Sequence, residues 1–76
     1  MKLVIVNWVD SNLIHGWRPV DDNQDKIADC ETVGFLVKDD DEKIVLAMSR
    51  STDDNVLETI SIPQRSVLDT RDLRLR

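Results

Sequence analysis

A nucleophile needs a base beside it, and in these 76 residues the base would have to be His15, the single histidine. Its partner would be Cys30, the single cysteine, or one of five serines. His15 stands next to Gly16 in a stretch with turn composition, where a lone histidine serves a loop more readily than a reaction. Cys30 lies between Asp29 and Glu31, a setting that works against a nucleophilic thiolate and favours a half-buried, unreactive thiol. The acid run Asp39-Asp40-Asp41-Glu42 lacks the alternating ligand spacing and central glycine of a calcium loop. Consecutive residues on a tight turn point in different directions and cannot surround one ion. Asp21-Asp22 and Asp53-Asp54 are weaker still as ligands. The two glycines, Gly16 and Gly34, are too far apart to build a phosphate loop. The expectation is no enzyme, no metal and no cofactor.

Binding is the chemistry that remains, and the aromatic residues concentrate it. Trp8 and Trp17 are two of three aromatic side chains in the chain, and they frame the stretch from 8 to 17. Trp8 ends an apolar strand pattern and belongs to the core. Trp17 sits between Gly16 and Arg18-Pro19, and is expected to fold back as a lid, since a small core needs large plugs. Left exposed, Trp17 would join Leu13 and Ile14, with Asp21 and Asp22 as a charged rim, in a protein-binding anchor.

The elements that must position these residues follow from alternation and turn chemistry. Lys2 to Val9 is rich in β-branched residues and apolar on both faces: Val4, Val6 and Trp8 on one, Leu3, Ile5 and Val9 on the other. Such a strand is central, or covered on its second face by a loop or a partner. Asp10 to Asp29 reads as one long acidic excursion, with Asp10-Ser11-Asn12 as turn formers and room for a short helix from Asp22 to Asp29. Glu31 to Lys38 and Lys43 to Ser51 make a hairpin about the acid run, with Gly34 marking a bend or a close backbone approach. In the second of these strands Ile44, Leu46 and Met48 share one side. Ser51 to Asn55 turns the chain into Val56 to Ile62, where Val56, Ile60 and Ile62 face inward and Glu58 takes an edge or rim position. Pro63 stops that strand, Gln64-Arg65-Ser66 suits a single 3₁₀ turn, and Val67 to Leu73 forms a last strand with Val67 and Leu73 as core contacts.

Residues 1–76 therefore make one small all-β domain. The expected architecture is a five-stranded, partly open barrel with a long loop after the first strand and a 3₁₀ turn before the last. A chain of this length buries only about 60–65% of its unfolded surface, so each large side chain matters. The opening Met-Lys-Leu-Val-Ile-Val-Asn is too short an apolar run for a signal segment, and none approaches the roughly 18 residues of a membrane span. The net charge of −5 argues against a phosphate-backbone partner, and it is unevenly placed: −6 over residues 1–42 and +1 over residues 43–76. One cysteine excludes an intrachain disulfide and suits a reducing, cytoplasmic setting.

This order of elements resembles an SH3-like barrel. The likeness rests on the long acidic excursion from Asp10 to Asp29, the two hairpins after it, and the ending Ile62-Pro63-Gln64-Arg65-Ser66-Val67, similar to the strand, 3₁₀ turn and strand that close that fold. The tyrosine-rich opening of signalling SH3 domains is missing, and the chain has no tyrosine, so their proline-motif pocket does not carry over. A looser likeness, through Val6, Trp8, Asp10-Ser11, Gly16-Trp17, Cys30, Val33-Gly34, Leu36 and Ile62-Pro63, is to short uncharacterised phage and prophage proteins. It implies a bacterial host and no particular activity. Together these readings lead to a non-enzymatic protein-interaction module, with self-association as a homodimer allowed by the two-faced first strand. The alternative is an acidic inhibitor or nucleic-acid mimic, whose Asp21, Asp22 and Asp39–Asp41 would occupy a basic site on a host protein.

Overall fold

Alternating runs rich in β-branched residues form the strands, and the polar clusters at 39–42 and 51–55 lie in the connections between them. The computed structural model describes residues 1–11, 16–21 and 27–73. Its elements are β1 (Leu3–Asp10), β2 (Ala28–Asp39), β3 (Lys43–Arg50), β4 (Val56–Pro63), a 3₁₀ turn (Gln64–Ser66) and β5 (Val67–Asp72). All pairings are antiparallel, in one sheet of order β4-β3-β2-β1-β5. The all-β expectation holds, with the 3₁₀ turn before the last strand. The sheet stays open: β4 and β5 are its two edges. β1 is hydrogen-bonded on both sides, to β2 and to β5, so it is an interior strand of the sheet.

The sheet curls so that side chains from both halves meet. Val4 and Val6 of β1 pack with Ile44 and Leu46 of β3 and Ile62 of β4, all fully buried, while Trp8, Leu36 and Val67 lie against this cluster. Two irregularities produce the curl. The β2–β3 register shifts between Leu36 and Lys38, and the β1–β5 register shifts between Asn7 and Trp8; such bulges bend a strand and increase its twist. Gly34 permits a close approach of β2 to β3. A Cβ there would stand 2.9 Å from the carbonyl oxygen of Ala47 and 3.1 Å from the Leu46 Cβ, so the expected close approach is real.

Four expectations need correction. The excursion is shorter than Asp10 to Asp29, because Ala28, Asp29 and Cys30 pair with Asp10, Val9 and Trp8. The backbone of β1 needs partners to its end, and that demand overrides the acidic composition of the segment; 22–26, where the short helix was expected to begin, lie outside the described residues. Met48 is 65% exposed, not core, and Val56 and Ile60 are also exposed. The β2–β3 ladder begins at Phe35–Ala47, so Met48 to Arg50 extend past the part of β3 that is paired with β2. Leu73 is likewise exposed; its N–H donates to the Leu3 carbonyl at 2.8 Å, but the chain has by then passed the core. Trp17 is exposed and does not fold back over the core.

Candidate functional site

The chain leaves β1 at Asp10 and Ser11, and 12–15 lie outside the described residues. Asp10 Oδ1 accepts a hydrogen bond from the Ser11 N–H at 2.8 Å, and Gly16 takes a φ of 91°, in the left-handed region that glycine enters without strain. Trp17 follows it at 105% exposure. The expected lid is absent. The core is already filled by Val4, Val6, Ile44, Leu46 and Ile62 with Trp8 over them, and the described part of the excursion, 16–21, is exposed throughout. Val20 and Asp21 are exposed beside Trp17. Leu13, Ile14 and Asp22, expected to complete the anchor and its rim, lie outside the described residues, as does His15.

The two tryptophans have different roles. Trp8 is half-buried against the core, and its indole Nε1–H donates to Thr32 Oγ1 at 3.0 Å. That bond fixes the ring across β2 and satisfies its polar edge. Cys30 is half-buried as expected, with Sγ 3.9 Å from the Ala28 carbonyl.

The acid run is part of the framework. Asp40 Oδ1 accepts hydrogen bonds from the N–H groups of Glu42 and Lys43, each at 2.9 Å, and Lys38 Nζ lies 3.5 Å from its other oxygen. Gln64 of the 3₁₀ turn donates through Nε2 to Asp39 Oδ1 at 2.6 Å and to the Asp40 carbonyl at 2.8 Å, and its N–H donates to the Glu42 carbonyl at 2.9 Å. The turn is thereby tied to the end of β4. The Lys43 N–H, then the Glu42 N–H, hold the Asp40 carboxyl below its ordinary value, with the charges of Lys43 and Lys38 adding to them. A depressed folded-state value contributes stability above the unfolded value of about 3.9. That contribution is lost as pH falls through the folded value. Asp40→Asn is therefore expected to flatten the acid limb of the stability–pH curve below about pH 4, measured by thermal unfolding from neutral to acidic buffer. An unchanged acid limb would mean that these bonds do not persist in solution.

A second feature was not legible in the pattern. Where the hairpin leaves β2, an open groove of about 340 Å³ runs between Thr32-Val33 and the facing parts of β3 and β4. Leu46 and Ala47 form its floor, and Val33, Met48 and Ile60 stand at its sides. Glu58, also on its wall, has a φ of 56°, a left-handed conformation that costs a non-glycine residue about 1–2 kcal/mol. The β3–β4 ladder runs from Ala47–Thr59 to Ser49–Leu57 and passes over the Met48–Glu58 pair. The sequence signal for this break was Glu58 itself, an acid interrupting the apolar rhythm of Val56, Ile60 and Ile62.

Among the described residues, no three His, Cys, Asp or Glu side chains are grouped to hold a metal ion. Among the described residues, no helix is long and apolar enough to cross a membrane. No family model, no curated protein and no solved structure matches the chain.

Proposed function

We propose that the chain is a non-enzymatic protein-interaction module, an SH3-like sheet that holds out its excursion to a partner protein, with Trp17 as the anchor. The observation that carries this reading is the full exposure of Trp17 beside an exposed Val20. An indole left in water contributes nothing to the fold, whereas burial in a partner's pocket makes tryptophan one of the strongest anchoring side chains. The SH3-like reading itself is supported by the order of strands, the long connection after β1 and the 3₁₀ turn ahead of β5. A bacterial or phage origin, and a cytoplasmic site of action suggested by the single cysteine, belong to the same reading. The acidic-mimic alternative has less support, because Asp39 and Asp40 are engaged within the chain and present a weaker outward field than their number suggests.

A photo-crosslinking side chain at position 17 tests the proposal, with the same probe at exposed Leu68 as control. A partner captured from position 17 alone, then purified, is expected to bind Trp17→Ala at least about tenfold more weakly. Its affinity should change little between about 50 and 500 mM salt. Trp17→Ala itself should leave stability within about 0.5 kcal/mol. Binding that ignores Trp17→Ala but collapses with salt and with Asp21→Asn would assign the chain to the mimic class instead.

A further inference from the structure

We propose that the groove beside Val33, Met48 and Ile60 is a docking site for a lysine side chain on an extended segment of a partner protein, with Glu58 as the counter-charge. Ile62 faces Ile44 and Ile60 faces Leu46 across the β3–β4 ladder. The next place in this apolar row, across from Met48, is held by Glu58. An apolar side chain there would continue the row; the acid instead puts a charge on the wall of the groove. It is the one charged residue in the lining, the rest being apolar apart from Thr32 and Thr59.

Among the described residues, no basic side chain pairs with Glu58 to neutralise this charge. Arg50, two positions past Met48 in β3, instead has its guanidinium 5.4 Å from the centroid of the Phe35 ring. Glu58 also holds a φ of 56°, a conformation that glycine or asparagine takes more readily. Strain of this kind gathers where a fold positions a side chain for a partner. The whole chain adds a charge of −5, which draws cations and repels both phosphate and a second copy.

Lysine fits both features of the groove. Its unbranched stem can lie along Leu46, Ala47 and Met48 while the ammonium reaches Glu58. At about 340 Å³ the groove stands at the low end of ligand clefts, which run from about 300 to 1,000 Å³. It is also open, so a free amine would keep much of its surface in water. Flanking residues of an extended segment supply the missing cover, because Val33 is 52% exposed and Met48 65%. An apolar row with one acid at its end therefore selects a basic residue between apolar ones.

Titration of the full chain with a capped tripeptide, lysine between two valines, followed by amide NMR, tests the proposal. Saturating shifts are expected at Met48, Glu58 and Ile60, with a dissociation constant on the order of 0.1–1 mM. Norleucine in place of lysine, or Glu58→Gln in the chain, should weaken binding about three- to fivefold. Salt raised from about 50 to 500 mM should weaken the parent complex, and the Glu58→Gln complex less. Should Glu58→Gln lose its fold, Glu58→Gly is the second variant, since glycine suits a positive φ. It should keep the unfolding midpoint or raise it by a few degrees, and bind the peptide as weakly as Glu58→Gln. Trp17→Ala should titrate as the parent does, so that failure at the groove and failure at Trp17 are told apart. Four results would overturn the inference. One is no shift around the groove at about 10 mM peptide. Another is a norleucine peptide that binds as well as the lysine peptide. The third is n-butylammonium binding as tightly as the tripeptide, which would make the groove a small-amine site. The last is movement of the same amides with chain concentration alone, which would assign the groove to a second copy.

Discussion

Ile62→Ala is expected to remove about 2–5 kcal/mol of stability, the cost of emptying a filled aliphatic site. A chain of 76 residues has in total only roughly 4–11 kcal/mol to lose. Ile62 is completely buried, it pairs across the ladder with Ile44, and it joins β4 to the β1 side chains Val4 and Val6. Losing its three outer carbons leaves a hole between sheet halves that few other side chains connect. The variant should be partly unfolded at physiological temperature. Denaturant titration followed by fluorescence checks this, because Trp8 packs on the same cluster. Val56→Ala in the same strand is the control. Val56 is 38% exposed at the far end of the hairpin, opposite Arg50, and its truncation should cost no more than about 1 kcal/mol. Equal losses at positions 56 and 62 would contradict the division of β4 into a buried end and an exposed end.

Gly34→Ala separates two effects of opposite sign. Local preference alone says that alanine should stabilise a strand relative to glycine, by about 0.4–1 kcal/mol. The added Cβ would meet the Ala47 carbonyl oxygen at 2.9 Å and the Leu46 Cβ at 3.1 Å. The first of these is backbone and cannot rotate away, so β2 and β3 must separate where Leu46 enters the core. Overpacking of this kind costs about 1–3 kcal/mol, so the steric effect is the larger. A net loss is expected for alanine and a greater loss for Gly34→Val, read as a fall in unfolding midpoint. A stabilised Gly34→Ala would show that the strands are farther apart than described.

Much of the fold was legible because its signals are local. Val4, Val6, Ile44, Leu46 and Ile62 lie at period two in β-branched or aliphatic runs, and all five are buried. Pro63 and the short Gln64–Ser66 link marked the last turn, and Ser51 to Asn55 makes the expected turn, with Ser51 Oγ accepting from the N–H groups of Asp53 and Asn55. Gly34 announced a close approach without naming its neighbour. The candidate site was less legible. The size of Trp17 suits a plug, and no local pattern tells whether a large side chain in a polar excursion will find a cavity. Met48 continues the alternation of Ile44 and Leu46 without a break, so its sequence context is that of a core residue. The acid run reads as a solubilising tip, and its bonds to Gln64 span some twenty-five positions.

Five strands, the turns at 39–42 and 51–55 and the 3₁₀ turn at 64–66 were legible in the chain itself, because alternation, proline and short polar side chains act within a few residues. The tertiary structure alone decided which alternating side chains are covered. Burial depends on how far two strands stay together, and β2 stays with β3 only from Phe35–Ala47 to Asp39–Ile44. Met48 lies past the last β2–β3 pair and lines a groove with Val33, whereas Ile62, opposite Ile44, lies in the core.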